Sequence, residues 1–299
     1  MALALTLAAS AQTNVGVIKI GKIEGEVTRI SADGKTTLLK AGDRVGETDA
    51  IATGRDSLVV LVFMNGSSVK IGADSRLSID EFKMDPLAED IQVADLQNEP
   101  SVSQTSLSLA YGEMIGEVKK LNTASNYTIK TPVGAAGIRG TTYRIVFRPT
   151  GDGRAFTFQL STGEGLVVFE GTTQAGSGRV DVAQDQEVVV TATVNPTTGE
   201  VTLTAPSSAQ TISVEAKAQI DTAVTQVIKE AKDNTIITVV EQKAPVEPTT
   251  TPTTTPTTEE KPKTEETKTT TTEAKTDPLP TTPSTPTSKP PELTPGAGG

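Results

Sequence analysis

The residue types that do most enzyme chemistry are missing from this chain of 299 residues, which has no cysteine, no histidine and no tryptophan. No disulfide or thiolate site can form. The usual zinc sites lack their ligands, and a Ser-His-Asp triad has no base. Carboxylates remain, and a pair such as Asp181 and Glu187 is the type that hydrolyses glycosidic bonds. Yet with 37 acids in the chain such pairs arise by number alone, and three tyrosines without tryptophan make a poor sugar platform. A carboxylate-based polysaccharide enzyme is therefore a remote alternative. No Asp-x-Asp-x-Asp-Gly loop suggests calcium. Gly163-Glu164-Gly165 does not continue into a phosphate loop. The residues lead to no cofactor, no metal and no catalytic group, and the chain reads as a non-enzyme.

One segment stands apart: Thr131-Pro132-Val133-Gly134-Ala135-Ala136-Gly137-Ile138-Arg139-Gly140-Thr141-Thr142-Tyr143. Its three glycines demand a turn or a close backbone approach. Arg139 is the lone charge in an apolar setting. Its five donors can tie loop carbonyls or a carboxylate such as Asp56 or Glu113, and a loop brace is the reading taken over a ligand contact.

The elements that must position this segment read as all-β from Val15 to Leu203. Leu58-Val59-Val60-Leu61-Val62-Phe63 suits a strand buried on both faces. Asn65-Gly66 then predicts a two-residue type I′ hairpin into Ser68–Ile71. Leu77–Phe82 alternates as a strand. Residues 83–104 are polar, contain Pro86 and Pro100, and read as a surface excursion. Strand signals resume at Leu107, over Gly112–Lys119 and over Tyr127–Thr131. A hairpin at Pro149–Gly153 joins Tyr143–Arg148 to Ala155–Leu160. Further strands follow at Gly165–Phe169, Glu187–Val190 and Val201–Leu203. Gly25-Glu26-Val27 with Leu38–Val45, and Gly165-Leu166-Val167 with Val180–Val188, echo one another as strand, loop, strand, tight turn, strand. One helix is expected, with Ala216, Ile220, Ala223, Val224, Val227, Ile228 and Ala231 on one stripe and Ser213 as N-cap. Its stripe is expected to pack on the β-domain.

The ends differ in kind. Residues 1–11 are apolar, with small residues at Ala9 and Ala11, like the rear of a truncated secretory signal cleaved after Ala11. From Pro245 to Gly299 lie 12 of the 18 prolines and 20 threonines. That composition cannot offset its ordering entropy and reads as a disordered spacer. The net charge of −10 argues against nucleic acid, and no apolar run is long enough to span a membrane.

The β-region resembles the FecR domain family, named after the iron-dicitrate sensor of bacterial cell-surface signalling. The resemblance covers roughly Gly42 to Phe147 and continues more weakly to Val190. Thr53-Gly54 leads into the buried strand. Asn65 and Gly66 match the hairpin tip, where the family more often has aspartate. Thr131 and Pro132, then Arg139, Gly140 and Thr141, match its sharpest motif; structural roles are expected for all of these. The cytoplasmic anti-sigma segment and membrane helix of the namesake are not seen here. The resemblance implies an extracytoplasmic, non-enzymatic protein. The resulting expectation is a β-sandwich or short β-solenoid-like domain over residues 12–205, an amphipathic helix and linker over 206–244, and a disordered Thr/Pro-rich tail over 245–299. The protein would be periplasmic or secreted and bind or scaffold an envelope protein or cell-wall component. The alternative is an accessory regulator working with a separate membrane protein in cell-surface signalling.

Overall fold

The computed structural model describes residues 16–87, 89–93, 96–150, 154–172, 178–234 and 236–237. The expected signal at 1–11, the Thr/Pro-rich stretch 245–299 and the hairpin tip Gly151–Gly153 lie outside them. The chain divides into units 1–250 and 251–299, and the described residues all fall in the first.

Two β-sheets share one long strand. The first runs in the order β3 (Thr36–Leu38), β2 (Val27–Ile30), β5 (Ala50–Thr53), β8 (Ser75–Met84), β10 (Ser103–Glu117), β11 (Asn126–Thr131), β12 (Gly134–Ile138), β15 (Leu166–Gly171) and β16 (Arg179–Ala183). The second runs β4 (Arg44–Val45), β1 (Ile18–Glu24), β6 (Leu58–Phe63), β7 (Ser68–Ile71), the far half of β10, β13 (Thr142–Thr150), β14 (Ala155–Glu164) and β17 (Gln186–Val194). Along the last edge of the second sheet lie β18 (Val201–Leu203) and β19 (Gln210–Thr211). Every pairing within these sheets is antiparallel except β10 with β11.

Apolar residues at every second strand position face inward and fuse the sheets into a sandwich. Phe63 of the second sheet meets Phe82 of the first edge-on at 5.1 Å. Further along, Phe158 stacks on Phe169 at 4.8 Å. Tyr127 and Tyr143 face each other across the core, both fully buried. Their hydroxyls find no well-aligned hydrogen bond, and burial pushes both phenols above their ordinary pKa.

The chain changes sheet at residues of positive φ, at Gly25, Gly42, Thr48, Asp56, Asp74, Gly112, Gly140, Gly165 and Asp185, and without one between β10 and β11. At Gly112 (φ 108°) β10 crosses from one sheet to the other, and any Cβ there would run into Ser75. The echo in the sequence is a repeated path through these corners. β1 turns at Gly25 into β2 and β3, and β4 returns to pair with β1. β14 turns at Gly165 into β15 and β16, and β17 returns to pair with β14.

Helix α1 (Val214–Asn234) lies on the outer side of the second sheet. Ser213 caps it, its hydroxyl accepting from the Ala216 amide at 3.1 Å. Ile220, Val224, Val227 and Ala231 are buried, the first two against Ile115 of β10. Lys22 reaches Glu230 at 2.7 Å and Lys217 reaches Asp185 at 2.6 Å. The stripe is therefore covered by its own sheet.

Three local expectations change. The hairpin between β6 and β7 is not a two-residue type I′ turn. The Gly66 amide donates to Phe63 O and the Phe63 amide to Ser67 O, both at 2.9 Å. Only Gly66 has positive φ, at 90°, which is a three-residue loop closed by a glycine bulge. The glycine-rich stretch, expected as a turn or a close backbone approach, is largely a strand: Gly134–Ile138 is β12, hydrogen-bonded on both sides, and the close approach is at Gly134, where a Cβ would meet the Glu170 carbonyl. The segment between β8 and β10 is not a plain surface excursion. It buries Leu87, Val93 and Glu99, and its short strand β9 (Ile91–Gln92) pairs with β20 (Ile236–Ile237) beyond the helix.

Candidate functional site

The motif residues singled out in the sequence come from two distant parts of the chain, Asn65-Gly66 and Thr131–Thr141. The fold brings two of them, Asn65 and Arg139, to one buried polar cluster whose centre is Glu99.

Glu99 is 6% exposed. Its carboxylate accepts from the Ser125 hydroxyl at 2.6 Å, from the Asn122 amide at 2.8 Å and from Asn122 Nδ2 at 3.2 Å. The Ser103 hydroxyl also donates to it. A buried carboxylate needs such a set of donors, because desolvation penalises an unsatisfied charge heavily. The cluster then spreads outward. Asn65, fully buried at the β6–β7 tip, donates from Nδ2 to the Ser103 hydroxyl at 3.1 Å and accepts from the Ser67 amide at 3.0 Å. The Ser103 amide donates to the Ser125 hydroxyl at 3.0 Å. Arg139 donates from Nη2 to the Ser125 carbonyl at 3.4 Å. Arg139 therefore ties a loop carbonyl, not a carboxylate. Its surroundings are solvent, not the apolar setting expected, and Glu113 is held instead by Arg144 at 2.7 Å.

The remaining motif positions close turns nearby. Gly140 (φ 77°) lies against the Lys120 backbone, where a Cβ would come within 3.0 Å of the Lys120 Cα. Gly66 faces Leu96 and Lys119 in the same way. Thr141 is buried and its carbonyl accepts from the Val118 amide at 2.9 Å. Thr131 donates from its hydroxyl to Gly134 O at 2.8 Å across the tight turn at Pro132-Val133. Glu99, Ser103, Asn122 and Ser125 carried no signal in a single sequence: each is a polar residue in a polar stretch, and only the fold shows that they converge.

Asp181 and Glu187 do not form a catalytic pair. Asp181 sits on β16 and pairs with Arg179 at 3.2 Å, while Glu187 sits on β17 and accepts from Gln159 at 2.5 Å. Among the described residues no group of three or more acids could hold a metal ion. No helix among them is long and apolar enough to cross a membrane.

A polar cleft of about 240 Å³ is bounded by Asp56, Lys70 and Glu113, and two clefts of more apolar lining lie at one end of the sandwich. Phe147 and Phe156 stack at 5.5 Å there. On one side of the pair is a cleft of about 460 Å³ bounded by Tyr111, Arg148 and Pro149. On the other is one of about 290 Å³ bounded by Pro132, Val133, Val201 and Leu203. Tyr111 is 44% and Val201 45% exposed, both high for such side chains in this chain. Pro132 is thus a motif residue that fronts a surface cleft.

Residues 49–154 match the model of the FecR family, described as FecR protein. This segment is a FecR domain. It holds the β6–β7 tip, Glu99 and the whole glycine-rich motif. The FecR segment is the middle of a larger sandwich, because β1 to β4 precede it, β14 to β19 follow it, and α1 covers its outer face. No curated protein matches the chain. Two crystal structures of a candidate anti-sigma factor from Parabacteroides distasonis ATCC 8503 are similar in part, each with a TM-score of 0.34 at 12% identity over 52% of this chain. The overlap spans 59% of that protein, under two thirds of its length.

Proposed function

We propose that the protein is an exported, non-enzymatic FecR-domain scaffold that holds a protein or cell-wall partner in the bacterial envelope. The observation that carries this reading is the fate of the motif. Asn65, Gly66, Gly140 and Thr141 are used up in bracing the fold around Glu99 and the neighbouring turns, and Arg139, though exposed, spends a donor on the Ser125 carbonyl. What the described residues leave for an outside molecule is the sheet edges, two mainly apolar clefts at one end and a polar cleft beside Lys70 and Glu113, which suits binding. The composition supports the same reading, since the residues of the commonest acid–base and metal chemistry are absent from the sequence. In this reading residues 1–11 direct export.

Fractionation of cells making the full chain tests the compartment. Protein found outside the cytoplasmic membrane, open to added protease in osmotically shocked cells, supports the reading. A wholly cytosolic product contradicts it. Photo-crosslinking from Tyr111 in the same cells tests the holding role: a discrete crosslinked species is expected, and its absence from every envelope fraction counts against it. The FecR match also favours a second, narrower role, as an accessory of a membrane-bound signalling protein. A crosslinked partner that is itself a membrane receptor or regulator would select that role.

A further inference from the structure

We propose that β18 (Val201–Leu203) is a strand-addition site, which takes an extended segment of a partner protein with apolar side chains at alternate positions. This rests on the binding role above and names the edge and the partner chemistry.

The backbone sets the direction. The Thr204 amide donates to Thr191 O at 2.8 Å, and the Thr191 amide donates to the Thr204 hydroxyl at 2.9 Å. On the other side of β17, the Val194 amide turns away and donates to Arg154 O at 2.7 Å. Alternation along an antiparallel ladder then points Thr202 at β17, and the N–H and C=O groups of Val201 and Leu203 outward. Among the described residues β18 pairs with β17 alone. An extended chain is the one occupant that offers matching donors and acceptors at strand spacing.

The side chains set the chemistry. Val201 and Leu203 lie opposite Val194 and Ala192, so all four share the inner face. With Pro132, Val133 and the Phe156 ring they line the cleft of about 290 Å³. No charged residue lines it. A strand added beside β18 would drop alternate side chains over this cleft, and apolar ones gain most there.

The other free edges are built differently. β4 has two residues, and β3, three residues long like β18, lines none of the clefts described above. β16 carries Arg179 and Asp181 paired with each other at 3.2 Å, the charged kind of edge that discourages pairing. On the β18 edge, Pro206 lacks an amide and ends the usable stretch.

The test uses the purified full chain and a randomised short-peptide display library. Enriched peptides are expected to alternate apolar and polar residues. The decisive variant is Leu203→Pro. It removes an outward N–H, leaves the bonds to β17, and sits where an edge strand tolerates proline. Binding of the enriched peptides should fall at least about tenfold, while Leu203→Ala, which keeps the amide, should lose clearly less. In wild type, bound peptide should slow hydrogen exchange at the Val201 and Leu203 amides, a readout that stands even if the proline variant fails to fold. Equal binding to a folded Leu203→Pro variant, enriched peptides without alternation, no enrichment, or no added protection would each overturn the proposal. So would a dimer in sedimentation that Leu203→Pro returns to monomer, which would give the edge to a second copy. Export and crosslinking are measured separately, so a failure here leaves the broader reading standing, and a cytosolic product would sink that reading whatever the peptides do.

Discussion

Arg139 and Glu99 grip opposite ends of one residue: the arginine takes the Ser125 carbonyl at 3.4 Å, and the carboxylate takes the Ser125 hydroxyl at 2.6 Å. The two grips are unequal. Arg139 is exposed and makes one long bond, so Arg139→Ala should cost under about 1 kcal/mol. Glu99 is buried and satisfies several donors, so Glu99→Gln, which turns an acceptor into a donor facing donors, should cost about 2–3 kcal/mol. Urea unfolding of both variants measures the difference. Equal costs would mean that the carboxylate is not the centre of the cluster.

The corners separate backbone strain from crowding. Gly34 has φ 79° and nothing near a Cβ, Gly140 has φ 77° and would bring a Cβ within 3.0 Å of the Lys120 Cα, and Gly112 has φ 108° with Ser75 in the way of any Cβ. Gly34→Ala should lose about 1 kcal/mol from φ alone. Gly140→Ala should lose about 1 kcal/mol more, and Gly112→Ala should fail to yield native protein, because neither Ser75 nor the crossing strand can give way. Thermal melts of the three, in that order, check the ranking.

Asp49 supplies a pH dependence. Burial raises its pKa, partly offset by the Gly46 amide and by Arg29 at 3.9 Å. A raised folded-state pKa means that the folded protein holds the proton more tightly. The stability from this group is then full below about pH 4 and is lost as pH rises through the folded value. Asp49→Asn cannot titrate. Plotted from about pH 4 to neutral, wild-type stability minus that of Asp49→Asn should fall and then level off. A difference that rises with pH would show that the Arg29 contact outweighs burial.

Helix α1 belongs to the fold. Ile220 is 1% exposed, and Ile220→Ala should cost about 2–4 kcal/mol by deleting buried apolar volume. Ending the chain at residue 205 would uncover Val60, Val62 and Ile115, and the product should aggregate. A soluble truncation with unchanged melting would make the helix a free appendage.

Strands were legible wherever local pattern decides structure. The apolar run Leu58–Phe63, the alternation of Leu77, Ile79 and Phe82, and the Ser213 cap each became the element they suggested. The echo at Gly25 and Gly165 was legible because a corner between sheets needs positive φ, which glycine marks in the sequence. What stayed hidden depends on distant partners. Gly134–Ile138 did not read as a strand because small residues carry no strand propensity; they are there because a Cβ at Gly134 would come within 2.6 Å of the Phe169 ring and 2.5 Å of the Glu170 carbonyl. Glu99 looked like one more surface acid because its donors lie up to 26 residues away.

Asn65 and Glu99 act as one internal brace joined through Ser103, and a double-mutant cycle tests it. Unfolding free energies of wild type, Asn65→Ala, Glu99→Gln and the double variant should show a coupling of about 1 kcal/mol or more. Costs that simply add, to within about 0.5 kcal/mol, would contradict it, and the family motif would have to be read as a surface for something else.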